Sequence, residues 1–412
     1  MTLQGFNDRK HHFDSFFKGK RTGSRKTNLT NCAILNIDMK ITNKIITCLL
    51  AAVVSGCAAE QAPDTGKELL EYSNLSYDSG FDTVYAYTEF GYDRDAMQKR
   101  FETGTEMFAG YNSQFDIYND YAGVNNLKTI NDNAGIAPVK VSDDVIAMLK
   151  EAKQFYDLSG GEFDITMGNL LQVWHRYREE GMAANEDGNG GAVPDEAELA
   201  EAFACRGWDK VVIDEENNTV FITDPCVSLD AGGIAKGFAA EGIAQAIESD
   251  EVVYGNINAG RNIRTIHDKA DGSPWRIAIQ NPVGEGALIV VETYGSGSFV
   301  TSGDYERFYT GTDGVRYHHI VDPSTMKPAD LYHSVSIITR DSGAADCLST
   351  ALFTMDIEDG MKVLEAYRQM SGDECEAVWM MDPDKTQGQE GKLAGGLFVV
   401  WTENLKDRII WP

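Results

Sequence analysis

Hydrophobic spacing divides the chain into blocks with different periods. The run at 82–88, rich in β-branched and aromatic residues, predicts a strand, and a helical period follows over about 93–109. Ser142 is placed to cap a helix that carries Val145, Leu149, Ala152 and Tyr156 along one face, and Gly160 with Gly161 ends it. A further helix is predicted over 165–180, a Gly/Asn-rich loop over 185–192, and a short helix after Pro194. The sequence KVVIDEENNTVFIT at 210–223 reads as a hairpin with Asn217 and Asn218 near its turn. A glycine-rich loop at 230–237 opens a helix to about 249, strand-like runs fill 252–339, helices occupy about 344–370, and two or three strands close the chain. Helices and strands are grouped rather than strictly alternating, which predicts an α+β fold and not a doubly wound sheet.

One block belongs to no domain core. From Met39, the basic residues Lys40 and Lys44 precede an apolar stretch at 45–54, and Val-Val-Ser-Gly-Cys closes it at Cys57. The stretch is shorter than the roughly 20 apolar residues of a membrane span and reads as a cleaved lipoprotein signal. The expected organisation is a non-native upstream extension at 1–38, a signal at 39–56, a tether at 57–80 with Cys57 lipidated, and a folded domain at 81–412.

Charge narrows the partners. The formal charge of −28 argues against wrapping nucleic acid, whose phosphates need a basic footprint. An acidic protein is also repelled by an anionic bilayer, so attachment would rest on the lipid. Cys205, Cys226, Cys347 and Cys375 show no zinc spacing; Cys205 with Cys226 is the one pair considered for a disulfide, and buried free thiols are the expectation for all four.

Three segments carry candidate chemistry. In SLDAGGIAKG at 228–237, adjacent glycines before a helix let backbone N–H groups approach an anion, and Lys236 adds a charge there; a plain strand-to-helix turn fits the same residues. Its spacing matches neither GxxxxGK[ST] nor GxGxxG. In ADCLSTAL at 345–352, Asp346 and Thr350 share a helix face and offer hard oxygen ligands, with a helix cap as the plainer role of Asp346. In RYHHIVDP at 316–323, two adjacent histidines on a strand point to opposite faces, and the upstream TSGDYER at 301–307 clusters hydroxyls, Asp304 and a cation.

Together with GEFDIT at 161–166, NAGRN at 258–262 and WRIAIQNP at 275–282, these segments resemble the ApbE family of FAD:protein FMN transferases, from about residue 81 to 400. The resemblance implies an ApbE/T-fold-like α+β domain, a largely antiparallel sheet with flanking helices and FAD in a cleft. It implies Mg²⁺-dependent transfer of FMN from FAD to a Ser or Thr hydroxyl of an acceptor protein, releasing AMP. Phe81, at the opening of the first strand, Glu162, Phe163, Asp164, Asp230, Lys236 and Ile320 match flavin-contacting positions. Gly233 matches a carbonyl ligand of the metal, and Asp346 and Thr350 match its side-chain ligands. Lys236 is expected to stabilise charge on the departing AMP, and His319 or Asp304 to take the acceptor's proton.

The implied partner is an exported, flavin-carrying subunit of an electron-transport complex, met outside the cell membrane or on its periplasmic side. Two positions depart from the family pattern: Arg261 stands where a second glycine is common, and Ser349 where some members carry another carboxylate. The competing readings are a Mg²⁺-dependent FAD pyrophosphatase and a flavin-binding lipoprotein without catalysis.

Overall fold

The computed structural model describes residues 68–249 and 251–412. The upstream extension, the signal, Cys57 and the tether as far as residue 67 lie outside the described residues. Among those described, no helix is long and apolar enough to cross a membrane.

A nine-stranded antiparallel sheet is the frame. Its strands are β1 Leu70–Ser76, β2 Tyr85–Gly91, β3 Tyr254–Ala259, β4 Asn262–Ile266, β5 Gly297–Gly303, β6 Ser334–Thr339, β7 Cys375–Met381, β8 Lys392–Ala394 and β9 Leu397–Trp401, in the spatial order β1-β2-β3-β4-β5-β6-β7-β9-β8. The α+β expectation holds. The expected tether does not reach residue 80, because β1 pairs with β2 along its whole length, from Leu70 opposite Gly91 to Ser76 opposite Tyr85.

Both faces of the sheet are covered, which explains why all seven residues of β7 are buried. On one face Cys375, Ala377, Trp379 and Met381 join the main core, together with Val335 and Ile337 of β6. On the other, Val378 and Met380 meet Phe299, Ile338 and Val399 beneath a three-stranded sheet formed by Trp275–Gln280, Ala287–Thr293 and Ile409–Ile410.

The helices are α1 Arg94–Phe115, α2 Asp143–Leu158, α3 Gly168–Glu186, α4 Ala235–Ile247, α5 Ser342–Thr354 and α6 Ile357–Ser371; all but α3 line the main core, and α3 buries Leu170 and Trp174 in a separate cluster with Leu199 and Val321. Ser142 caps α2 as expected, its Oγ accepting from the Val145 N–H at 3.3 Å. Helix α1 runs past its expected end because Tyr111 and Phe115 prolong the buried stripe and pack edge-on against Phe238 of α4. The hairpin read at 210–223 is present as Val211–Asp214 paired with Thr219–Ile222, with Asn218 at φ 51° in its turn.

The expectation of free thiols throughout is corrected in part. Cys205 and Cys226 are disulfide-bonded with their Cα atoms 5.2 Å apart, while Cys347 and Cys375 are free and buried. The antiparallel hairpin between the two brings its flanks together, which spacing alone did not reveal.

Candidate active site

The centre of the site is the contact between the N-terminus of α4 and the middle of α5. A Cβ added to Gly237 would overlap the Ser342 carbonyl oxygen and come within 2.6 Å of Asp346 Cβ, so only glycine lets the two helices approach this closely. At that contact the Gly237 N–H donates to Asp346 Oδ2 at 2.9 Å. Lys236 Nζ lies 3.9 Å from the same oxygen and 3.4 Å from the Gly232 carbonyl. The carboxylate therefore faces the positive end of α4.

Asp346 is not the helix cap. That position belongs to Asp341, whose carboxylate accepts from the Ala344 N–H at 2.9 Å, and Asp346 sits one turn inside a helix buried over nearly its whole length. Gly233 approaches the same region: a Cβ there would stand 3.2 Å from Thr350 Oγ1 and 3.0 Å from the Phe163 ring. Gly233, Lys236, Asp346 and Thr350 thus converge. Among the described residues no group of three or more His, Cys, Asp or Glu side chains could hold a metal. A cation here would rely on carbonyl and hydroxyl oxygens beside one carboxylate, which is the donor chemistry of Mg²⁺. Ser349 spends its hydroxyl on the Asp346 carbonyl at 3.0 Å and on Ser302 of β5 at 2.9 Å.

The 162–164 stretch packs beside this centre. Phe163 is buried, with its N–H donating to Ser159 Oγ at 3.0 Å. Burial pushes the Glu162 carboxyl above its usual range, against a 3.0 Å hydrogen bond from the Thr354 hydroxyl. Asp164 turns inward: its Oδ1 accepts from the Thr166 N–H and hydroxyl at 2.8 and 2.7 Å, and its Oδ2 lies 3.5 Å from Arg206. The Asp230 N–H donates to the Ile165 carbonyl at 2.8 Å, joining this stretch to the glycine-rich loop. Asp230 Oδ1 accepts from the Gly232 N–H at 2.8 Å, and burial raises its carboxyl.

Two expectations are corrected. Phe81 opens no strand; it lies at φ 55° in the turn between β1 and β2, its N–H bonded to Asn112 Oδ1 at 2.7 Å and its ring 4.9 Å from Phe108. The histidine pair follows the two-residue strand Arg316–Tyr317 in irregular backbone, not on a strand. His318 is structural: its Nε2 bonds the Ala329 carbonyl at 2.6 Å and its Nδ1 accepts from the Ile320 N–H at 3.2 Å, while Ile320 is buried in the core.

His319 differs from its neighbour, with a buried Nδ1 that has no hydrogen-bond partner. Burial, and next the adjacent His318, hold its imidazole well below the ordinary value. Asp304 is already engaged. Its Oδ2 contacts His333 Nδ1 at 2.8 Å, its Oδ1 lies 3.8 Å from Arg316, and His333 Nε2 reaches Asp382 at 3.1 Å.

Several residues of the site carried no motif signal. Tyr118 is 55% exposed beside Asp230, its ring 5.4 Å from His175. Arg178 lies near Asp230 and Arg307, and burial followed by Arg307 lowers its guanidinium. The three-residue spacing of His175 and Arg178 on α3 was the available signal. Arg261 occupies the turn between β3 and β4 at φ 81°, after Gly260 at φ 62°, which is why glycine suits this position. Its guanidinium pairs with Glu306 and lies 5.2 Å over the Tyr305 ring.

A glycine-rich helix N-terminus carrying Lys236, set on an antiparallel sheet with flanking helices, defines an α+β protein whose backbone N–H groups and lysine favour an anion. Residues 81–375 match the model of the ApbE family, and the chain belongs to it. It is 33% identical over 253 residues to the FAD:protein FMN transferase of Klebsiella pneumoniae (strain 342), spanning 60% of this chain and 75% of that protein. It is 34% identical over 258 residues to the FAD:protein FMN transferase of Treponema pallidum (strain Nichols), spanning 58% of this chain and 68% of that one. The ApbE protein of Thermotoga maritima superposes with a TM-score of 0.65 at 30% identity, covering 82% of this chain and 99% of that one. The flavin transferase ApbE of Vibrio cholerae gives 0.63 at 26% identity, covering 83% and 99%.

Proposed function

We propose that this chain transfers FMN from FAD to a hydroxyl of an acceptor protein and releases AMP. The observation that carries the reading is the convergence of Gly233, Lys236, Asp346 and Thr350 at the α4–α5 contact, in a chain whose curated relatives are FAD:protein FMN transferases.

Mg²⁺ held by the Gly233 carbonyl, Asp346 and Thr350 would withdraw charge from the pyrophosphate of FAD. Lys236 supplies the positive charge that the departing AMP requires, on a helix N-terminus whose N–H groups favour the same sign of ligand. The acceptor oxygen bonds to the FMN phosphorus as the bond between that phosphorus and the bridging oxygen breaks. The hydroxyl proton goes to a base. His319 fits this role better than Asp304, because its Nδ1 has no hydrogen-bond partner, whereas Asp304 is held by His333 and lies near Arg316. Phe163 and Asp230 form the flavin-facing wall, and Asp164 supports it from behind.

The pattern at 39–57 supports an exported protein anchored through lipid on Cys57, acting on exported Ser- or Thr-bearing acceptors such as electron-transport subunits. The test is to incubate the protein with FAD, Mg²⁺ and a candidate acceptor and to weigh the acceptor. A gain of one phosphoester-linked FMN that needs Mg²⁺ supports the proposal. Release of FMN and AMP with the acceptor mass unchanged would instead identify a pyrophosphatase.

A further inference from the structure

The disulfide joins two segments that grip the same stretch of the flavin wall. Cys205 follows the helix Glu196–Ala204, and Cys226 precedes the residues that enter the glycine-rich loop; both are half-buried. Immediately after Cys205, Arg206 lies 3.5 Å from the buried carboxylate of Asp164, and the Gly207 N–H donates to Thr166 Oγ1 at 2.9 Å. Arg206 is itself fixed, with its guanidinium 3.9 Å over the Phe203 ring. On the other side the Cys226 carbonyl accepts from the Asn169 side chain, and the Ser228 carbonyl accepts from the Gly168 N–H at 2.9 Å. The Asp230 N–H then donates to Ile165 at 2.8 Å. Residues 164–169 are therefore held from both ends of one covalent bond.

We propose that the Cys205–Cys226 disulfide, acting through Arg206, is a positioning clasp for the flavin site: the oxidised chain holds residues 162–164 in register with the glycine-rich loop, and the dithiol chain binds FAD less tightly. This rests on the reading that Phe163 and Asp230 face the flavin, with Asp164 behind them. A dithiol reductant supplies the two electrons: its own sulfurs close into a disulfide, and Cys205 and Cys226 each end as S–H. Cys347 and Cys375 are buried, so exchange chemistry is directed to the half-buried pair.

The full chain is titrated with FAD in its oxidised form, after treatment with dithiothreitol, and after reoxidation, with thermal melting and transfer kinetics alongside. Reduction is expected to weaken FAD binding about tenfold, the scale of one charged contact, while the rate at saturating FAD changes less than about twofold; reoxidation restores the affinity. If reduction unfolds the chain, Arg206→Met in the oxidised protein decides. That variant is expected to lose about tenfold in FAD affinity, with Arg206→Lys retaining most of it. Unchanged affinity in Arg206→Met, or in a reduced chain that remains folded, overturns the clasp. An oxidised wild type that binds no FAD would overturn the reading of the site itself, which is a separate outcome.

Discussion

Replacing Gly237 by alanine tests whether the α4–α5 contact builds the site. The new methyl group would overlap the Ser342 carbonyl oxygen and stand 2.6 Å from Asp346 Cβ. Pushing the helices apart costs about 1–3 kcal/mol in overpacking. It also breaks the hydrogen bond from the Gly237 N–H to a buried carboxylate, worth about 1.5–3 kcal/mol. The better helix propensity of alanine returns about 1 kcal/mol, leaving a net loss of about 1.5–5 kcal/mol. The apparent melting temperature should fall by about 4–10 °C. Flavin transfer should fall more steeply than stability, because Asp346 and Thr350 move together away from Lys236 and Gly233. A matched control is Gly110→Ala in α1, where an added Cβ meets nothing within 4 Å and should stabilise by about 0.5–1 kcal/mol. Melting and transfer rates at wild-type level for Gly237→Ala would refute the reasoning, as would an equal loss in both variants.

Lys236→Met should lower transfer at saturating FAD by about two to four orders of magnitude, with a much smaller change in the FAD dissociation constant; parallel losses in both would make Lys236 a ground-state clamp. Asp346→Ala should abolish Mg²⁺-dependent transfer while direct titration still detects FAD binding. His333 titrates above 6.5 chiefly because of its hydrogen bond to Asp304, so its stabilisation is complete below the unfolded value and is lost as pH rises through the raised folded one. Melts of His333→Gln across that window should lack this part of the wild-type decline. Cys57→Ser should move the exported protein from the membrane to the soluble fraction without altering its melt, and intact mass measurement showing residues 1–56 retained on native protein would rule out the signal.

The parts of the site legible from sequence were those in which several residues share one short segment. The glycine pair, Lys236 and the four-residue spacing of Asp346 and Thr350 state their geometry locally, because a helix turn fixes it. Contacts across the fold were less visible. The spacing of Asp346 also fits a helix cap, and only the bond from the Ala344 N–H to Asp341 assigns that role elsewhere. Strand β1 gave no periodic signal because it is an edge strand with only Tyr72 buried. Arg206 became relevant only once the disulfide brought its turn against Asp164. His333 sits far along the chain from Asp304, and only the bond between β5 and β6, which places Gly303 opposite Ser334, makes them neighbours.

The order of the sheet also sets an order of assembly. Each strand from β2 onward pairs with a partner close in sequence except at one step, where β2 must wait for β3 across the whole segment between Gly91 and Tyr254. A chain emerging N-terminus first therefore presents β1–β2 as a lone hairpin, marginal in isolation and open to mispairing along the edge of β2. Cys205 and Cys226 both lie within the intervening segment, so their bond can close before the sheet does. Loop-closure cost grows only with the logarithm of length, and each constraint made inside the segment shortens the effective loop that β3 must span. An oxidant acting early would thus hasten completion of the sheet, linking the yield of folded enzyme to the chemistry of the compartment in which it emerges.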